Sequence, residues 1–213
     1  MAQFFVLHPD NPQPRLIRQA VDIIRHGGVL AYPTDASYAL GCGLGDREAQ
    51  QRIRTIRGMD EDHPLTLVCR DLAEISIYAK VDNRQFRLLK ANTPGSYTFI
   101  LEATREVPKR LQHPKRKTIG LRVPAHPILQ ALLAELGEPL LSTTLQLPGD
   151  AQPLSDPYEI RELLEHQLDL VLDGGYGDVA TTTVIDLTGE IPELIRRGKG
   201  ETQAFGLEEE LWD

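Results

Sequence analysis

The chain has 213 residues, is 41% hydrophobic and 25% charged, and carries a formal net charge of −8. That is enough chain to bury a full core in one large domain, and the net acidity argues against broad nucleic-acid binding. No apolar run approaches the roughly 20 residues that a membrane helix needs, Met1–Phe5 lacks a basic region and a cleavage site, and Cys42 and Cys69 have no metal-ligand spacing, so a cytoplasmic protein without a membrane partner is expected.

Gln3 to Leu7 reads as a first strand. Asn11 is suited to cap a helix and Pro12 to its first position; Leu16, Ile17, Ala20, Val21 and Ile24 then recur at helical spacing, and Gly27 ends the run. Val29 to Tyr32 is a short apolar strand that Pro33 must terminate, because proline has no ladder donor. Thr34, Asp35, Ser37 and Tyr38 follow at the strand end, the place where ligands collect in open α/β sheets. Gly41-Cys42-Gly43-Leu44-Gly45 is not a dinucleotide fingerprint and reads as a glycine-rich loop. Asp46 caps a helix with Ala49, Ile53 and Ile56 on one face.

Residues 57–64 form a charged loop, and Leu65 to Cys69 the next strand. Asp71 and Asp82 cap two helices, the second carrying Phe86, Leu88 and Leu89. A turn at Thr93–Ser96 leads into a strand from Tyr97 to Ala103. Thr118 to Val123 is a strand ended by Pro124. Pro127 opens a helix with Ile128, Leu129, Leu132, Leu133 and Leu136. Leu140 to Thr144 is a strand, and Asp156-Pro157 opens a helix ending near His166. Leu168 to Leu172, Thr182 to Leu187 and Glu193 to Arg196 close the chain as strands. Helices and strands interleave early, yet several strands follow one another directly late. That pattern predicts an α/β fold with a mixed parallel and antiparallel sheet.

Charge is unevenly spread. Arg105, Lys109, Arg110, Lys115, Arg116 and Lys117 make a basic segment, and Glu201, Glu208, Glu209, Glu210 and Asp213 an acidic tail. The basic segment reads equally as a solvated loop or as a phosphate-neutralising surface. No P-loop, zinc signature or nucleophile elbow is present, and His8, His26, His63, His113, His126 and His166 show no ligand spacing. No protein-bound metal site is expected.

Seven stretches taken in order carry more information than any one. They are Gly-Gly-Val-Leu-Ala-Tyr-Pro-Thr-Asp (27–35), Thr-Pro-Gly-Ser-Tyr-Thr-Phe-Ile-Leu (93–101) and Thr-Ile-Gly-Leu-Arg-Val-Pro-Ala-His-Pro (118–127). Pro-Leu-Leu-Ser-Thr-Thr (139–144), Asp-Leu-Val-Leu-Asp-Gly-Gly (169–175), Thr-Thr-Val-Ile-Asp-Leu (182–187) and Ile-Arg-Arg-Gly (195–198) complete the set. Together they resemble the YrdC/YciO family of threonylcarbamoyl-AMP synthases, and within it the YciO branch. The resemblance spans residues 3–200 as one YrdC-like domain and leaves 201–213 as the acidic tail.

The resemblance implies a twisted, mixed parallel and antiparallel sheet with flanking helices around a concave cationic cavity. It also implies an enzyme, a nucleotidyltransferase that joins L-threonine, bicarbonate and ATP, with Mg²⁺, into threonylcarbamoyl-AMP for tRNA modification. Its alternative is a double-stranded RNA- or ribosome-associated binding protein without that activity. Carried over residue by residue, Thr34, Arg122, Thr144 and Thr182 fall at threonine-binding positions. Arg57, Thr118, Gln146, Ser155 and Arg196 fall at nucleotide-binding ones. Lys109, Arg110, Lys115, Arg116 and Lys117 are the candidates for tRNA or other RNA. A guanidinium at Arg122 suits a carboxylate, which it can grip bidentately.

Three departures stand out. The synthases' Lys-x-Arg is Arg57-Gly58-Met59 here, so one cation is gone, and Lys115 or Arg116 is the basic residue to replace it. Their Ser-Ala-Asn is Thr144-Leu145-Gln146. A histidine that they use for threonine falls at Val68.

Overall fold

In a computed structural model, which describes residues 1–207, ten strands form one sheet. The strands are β1 (Gln3–Val6), β2 (Leu30–Tyr32), β3 (Ala39–Gly43), β4 (Thr66–Val68), β5 (Tyr97–Glu102), β6 (Thr118–Arg122), β7 (Leu140–Thr144), β8 (Leu170–Asp173), β9 (Thr183–Asp186) and β10 (Glu193–Arg196). Their order across the sheet is β1-β8-β2-β3-β7-β4-β6-β5-β9-β10. The pairs β1–β8, β2–β8, β4–β6 and β5–β9 are parallel, and the others are antiparallel. The mixed sheet expected from the late run of strands is therefore present.

Six helices flank it: α1 (Pro14–Arg25), α2 (Arg47–Arg57), α3 (Leu72–Tyr78), α4 (Asn83–Asn92), α5 (Pro127–Leu136) and α6 (Pro157–Leu164). Asp46, Asp71 and Asp82 each accept the amide three residues on, at 2.9, 2.9 and 2.7 Å, and so satisfy donors that a helix start leaves free. Asp82 and Gln85 form a full capping box.

Leu89 of α4 is buried, whereas Phe86 points outward. At α1 the expected cap is displaced. The helix begins at Pro14 with Gln13 before it, because the His8 ring takes the amides of Asp10 and Asn11 and holds those residues in a turn.

Of the glycine-rich stretch 41–45, residues 41–43 belong to strand β3 and only Leu44 and Gly45 form a turn. β3 is buried throughout and pairs with both β2 and β7. Its small residues make room for a neighbour: a Cβ at Gly41 would stand 2.6 Å from the Tyr32 ring. Tyr32 crosses that gap to donate its hydroxyl to Ser142 at 2.6 Å.

Packing divides the two faces of the sheet. On one, α1 and α5 cover β2, β7 and β8 through Ile17, Val21, Ile128, Leu132, Leu30, Leu140 and Leu172. On the other, a larger core takes Leu67, Phe99, Leu121, Leu141 and Ile185 from the strands and Ile53, Ile75, Leu89 and Ile160 from the remaining helices. The α1–α5 core reaches Val68 of β4 but takes no residue from β6, β5 or β9, and the face there carries a cavity.

The chain beyond Glu201 also contributes. Phe205 is buried, with its ring 5.5 Å from Tyr97 and 5.9 Å from Phe99. Packing thus continues to Leu207, past the expected start of the acidic tail, because an aromatic pair on β5 offers an apolar seat. Glu208, Glu209, Glu210 and Asp213 lie outside the described residues.

Candidate functional site

Strand alternation builds the floor of that cavity. Thr66 sits opposite Gly120 and Ser142, and Val68 opposite Arg122. Ile100 pairs with Gly120, and Val184 with both Thr98 and Arg196. Residues one step along each strand enter the opposite core, so these point the other way. The space enclosed is about 230 Å³. Gly120 keeps the floor low, since a Cβ there would lie 3.3 Å from Thr98 Cγ2 and 3.4 Å from Thr66 Oγ1.

Arginines ring this floor. Arg122 and Asp35 form an ion pair, each side chain only 9% exposed. Ser96 donates its hydroxyl to Asp35 Oδ2 at 3.2 Å and its carbonyl at 3.1 Å, which fixes the carboxylate. Burial pulls the Arg122 pKa down and Asp35 opposes it. The Arg122 Nε is buried without a hydrogen-bond partner among the described residues.

Arg196 donates to the Thr182 carbonyl at 3.0 Å and hydroxyl at 3.3 Å, and Thr182 shares a 2.9 Å hydrogen bond with Thr98. Arg196 has no carboxylate partner among the described residues, and burial lowers its pKa. Arg116 reaches in from the loop before β6 and pairs with Asp186 and Thr188.

Of the residues expected at the site, Arg122, Thr144, Thr182, Thr118 and Arg196 line this one cavity. Thr34 does not line it, although Ala36 and Ser37 do; its hydroxyl is used internally, donating to the Ser37 carbonyl at 2.7 Å and accepting the Ala36 amide at 3.0 Å. Arg57 does not line the cavity, but its charge is felt by His63, which does. The Arg57 Nε is buried without a partner among the described residues, and burial lowers the pKa of the guanidinium. Burial, then Arg57 and Arg54, hold the His63 imidazole below its usual pKa.

Gln146 and Ser155 do not line the cavity. The Gln146 amide is tied to the Asp150 carbonyl at 2.8 Å, and the Ser155 carbonyl holds the Gly177 amide at 2.8 Å.

The basic segment separates. Lys109 and Arg110 lie in a neighbouring groove with Arg47, Glu61 and Asp62, divided from the cavity by His63, Pro64 and His113. Lys115 and Lys117 are exposed. Arg116 is half exposed too, but it lines the cavity and pairs with the buried Asp186 carboxylate, which demands a counter-charge.

The departures also find places. Met59 packs toward the core with its sulfur 4.0 Å from Thr143 Oγ1. Leu145 is fully buried in the core on the far face, so its bulk does not enter the cavity. Val68 occupies the floor beside Arg122.

Sequence reasoning did not single out Ser96, Thr66, Thr98, Ser142, Thr143, His63 or His113 as site residues. The alternation Thr98-Phe99-Ile100-Leu101 was the signal available for β5. His113 and Ser96 lie on loops, where no periodicity exists to read.

A family model named for Sua5, YciO and YrdC and described as "Telomere recombination" matches residues 22–198. The YciO protein of Escherichia coli is 58% identical over 205 residues, 96% of this chain and 100% of the relative; its crystal structure superimposes with a TM-score of 0.93 over the same shares of the two chains. A threonylcarbamoyl-AMP synthase of Halorhodospira halophila is 30% identical over 178 residues, 83% of this chain and 92% of that one. The crystal structure of P. abyssi Sua5 complexed with L-threonine matches with a TM-score of 0.83 and 28% identity, over 92% of this chain and 57% of that one.

Proposed function

The chain belongs to the Sua5/YciO/YrdC family, and from that premise we propose that its cavity binds L-threonine and ATP and joins them, with bicarbonate, into threonylcarbamoyl-AMP. The observation that carries this reading is the convergence of Arg122, Arg196 and Thr182 on one floor. The P. abyssi relative with threonine bound and the synthases among the relatives support it.

The chemistry matches the charges. Threonine's amine captures the bicarbonate carbon as a carbamate and water leaves. A carbamate oxygen then attacks the α-phosphorus of ATP, the α–β phosphoanhydride breaks, and pyrophosphate departs. Two anions must approach each other, so fixed cations that need no rearrangement lower the barrier. Arg122 Nε is a buried donor available to an incoming carboxylate. Arg196, held by Thr182 and free of any described carboxylate, is placed for the nucleotide.

Asp35 and Asp186 are both engaged by arginines, which leaves magnesium to be held by the phosphates of ATP. The cation absent at Met59 makes the expected rate slower than that of a synthase with both, by about a hundredfold if nothing replaces it.

The test is pyrophosphate release from ATP with threonine and bicarbonate. Turnover should fall at least about tenfold in Arg196→Ala, whose guanidinium would contact the nucleotide. No turnover in the parent above that variant defeats the synthase reading.

A second reading, RNA binding, is favoured by the grouping of Arg47, Lys109 and Arg110 in the adjoining groove. Replacing Lys109 and Arg110 should then weaken RNA binding and flatten its salt dependence. An unchanged salt slope removes that groove as the interface.

A further inference from the structure

The loop from His113 to Lys117 is built with more care than a solvated connection needs. The His113 amide donates to the Thr118 carbonyl at 2.8 Å, and the Lys117 amide returns to the His113 carbonyl at 2.9 Å. Lys117 takes φ +53°, the one non-glycine residue with positive φ among those described. Such a conformation persists where the surroundings over-determine it, and it clusters at binding sites.

His113 Nδ1 accepts the amides of Lys115 at 3.3 Å and Arg116 at 3.1 Å. A ring nitrogen that accepts carries no proton, so the imidazole hydrogen sits on Nε2 as a donor. His113 and Arg116 both line the cavity, and Lys115 and Lys117 do not.

Arg116 is held from one side only. Its Nη2 donates to Asp186 and to Thr188 Oγ1 at 3.0 Å. Its Nε and Nη1 have no partner among the described residues. Half of this side chain remains exposed, whereas the Asp186 side chain is 3% exposed. The carboxylate therefore acts as a fixed anchor, and the other edge of a planar fork is left available.

Position along the strand says which part of a ligand lies here. Arg116 stands just before Thr118, and Arg122 lies at the other end of β6. Four residue steps along a strand span about 13 Å. The floor thus has a cation at each end, with Arg196 across it.

We infer that the His113–Lys117 loop is a phosphate-binding element of the cavity. In it, Arg116 Nε and Nη1 and His113 Nε2–H donate to the phosphate chain of the nucleotide, and Arg116 supplies the positive charge that Met59 does not. The nucleotide's identity rests on the function proposed above; the anion site itself does not.

Calorimetric titration of the full chain with ATP, with inorganic tripolyphosphate and with L-threonine tests this. Arg116→Gln should weaken ATP and tripolyphosphate by about tenfold to a hundredfold, the scale of a charged hydrogen bond, and leave threonine within about twofold. His113→Asn keeps an acceptor for the loop amides and lacks the Nε2 donor, so it should weaken the same two ligands by a smaller factor. If Arg116→Gln does not fold, Arg116→Lys, which keeps a charge on Asp186 and loses the fork, carries the test with His113→Asn.

Phosphate ligands that bind these variants as tightly as the parent overturn the inference, and so does a parent that binds neither. Tripolyphosphate held through Arg116 with no binding of threonine or ATP keeps the loop and removes the threonine–ATP reading. Threonine and ATP binding that ignores both substitutions does the reverse.

Discussion

Asp35 and Arg122 neutralise each other at the rim of the cavity, with nearly all of both side chains out of solvent. The guanidinium that sequence assigned to a substrate carboxylate is therefore already half engaged. Removing one member of a buried pair leaves an uncompensated charge, which costs about 3–5 kcal/mol. Asp35→Asn should lose stability on that scale in urea unfolding. Threonine should restore more stability to Asp35→Asn than to the parent, because its carboxylate can take the vacated place. A loss under about 1 kcal/mol would show that the pair contributes little.

Two imidazoles whose pKa values are lowered in the fold, a partly covered His126 and a more exposed His63, give stability a pH dependence near neutrality. Burial lowers the pKa of His126, with Asp35 and Asp10 opposing, and its Nδ1 has no partner among the described residues. Burial, Arg57 and Arg54 lower that of His63, with Asp60 opposing. A histidine whose folded pKa lies below the unfolded value of about 6.5 is protonated more readily in the unfolded chain. Its stabilisation is complete above that value and is lost as pH falls through the folded pKa. Urea midpoints should fall from pH 7.5 to pH 5.5, and the fall should shrink in His126→Asn combined with His63→Asn. An undiminished fall would assign the effect to other groups.

Much of this architecture was legible because burial and backbone conformation leave marks on residue choice. Asp46, Asp71 and Asp82 announce helix starts through a local hydrogen bond, and Pro33 announces a strand end. β3 was not legible, since its small residues serve the Tyr32 ring, a contact made across the sheet. The same holds within the site. Arg122 and Thr118 follow from alternation on β6, and Thr182 and Arg196 from the order of stretches. Whether Arg116 faces solvent or cavity depends on Asp186, seventy residues away in sequence, and no local pattern encodes that.

The segment after Glu201 should be part of the folded unit. Phe205 packs on Tyr97 and Phe99, and the Tyr97 hydroxyl donates to the Glu201 carbonyl at 3.0 Å. Truncating a buried phenylalanine typically costs about 3–5 kcal/mol. Phe205→Ala should reduce the unfolding free energy toward that range while leaving the cavity, on the opposite face of β5, able to bind its ligands at low denaturant. A negligible change would mean that this segment only rests against the sheet.

Gly120 and Gly198 should separate the site from the scaffold. At Gly120 a Cβ meets only the side-chain tips of Thr98 and Thr66, at 3.3 and 3.4 Å, and those can yield by a few tenths of an ångström. Replacing a strand glycine also removes an entropic cost of about 0.5–1 kcal/mol. Gly120→Val should therefore leave the melting temperature nearly unchanged and fill the middle of the floor, weakening threonine and ATP by about tenfold or more in calorimetry. At Gly198 a Cβ would lie 2.4 Å from the Thr181 carbonyl oxygen and from the Thr182 carbonyl carbon. Backbone cannot step aside so cheaply, so Gly198→Ala should cost about 1–3 kcal/mol and disturb Thr182, on which Arg196 rests. Unimpaired ligand binding in Gly120→Val would place the ligands away from this floor, whatever Gly198→Ala does to stability.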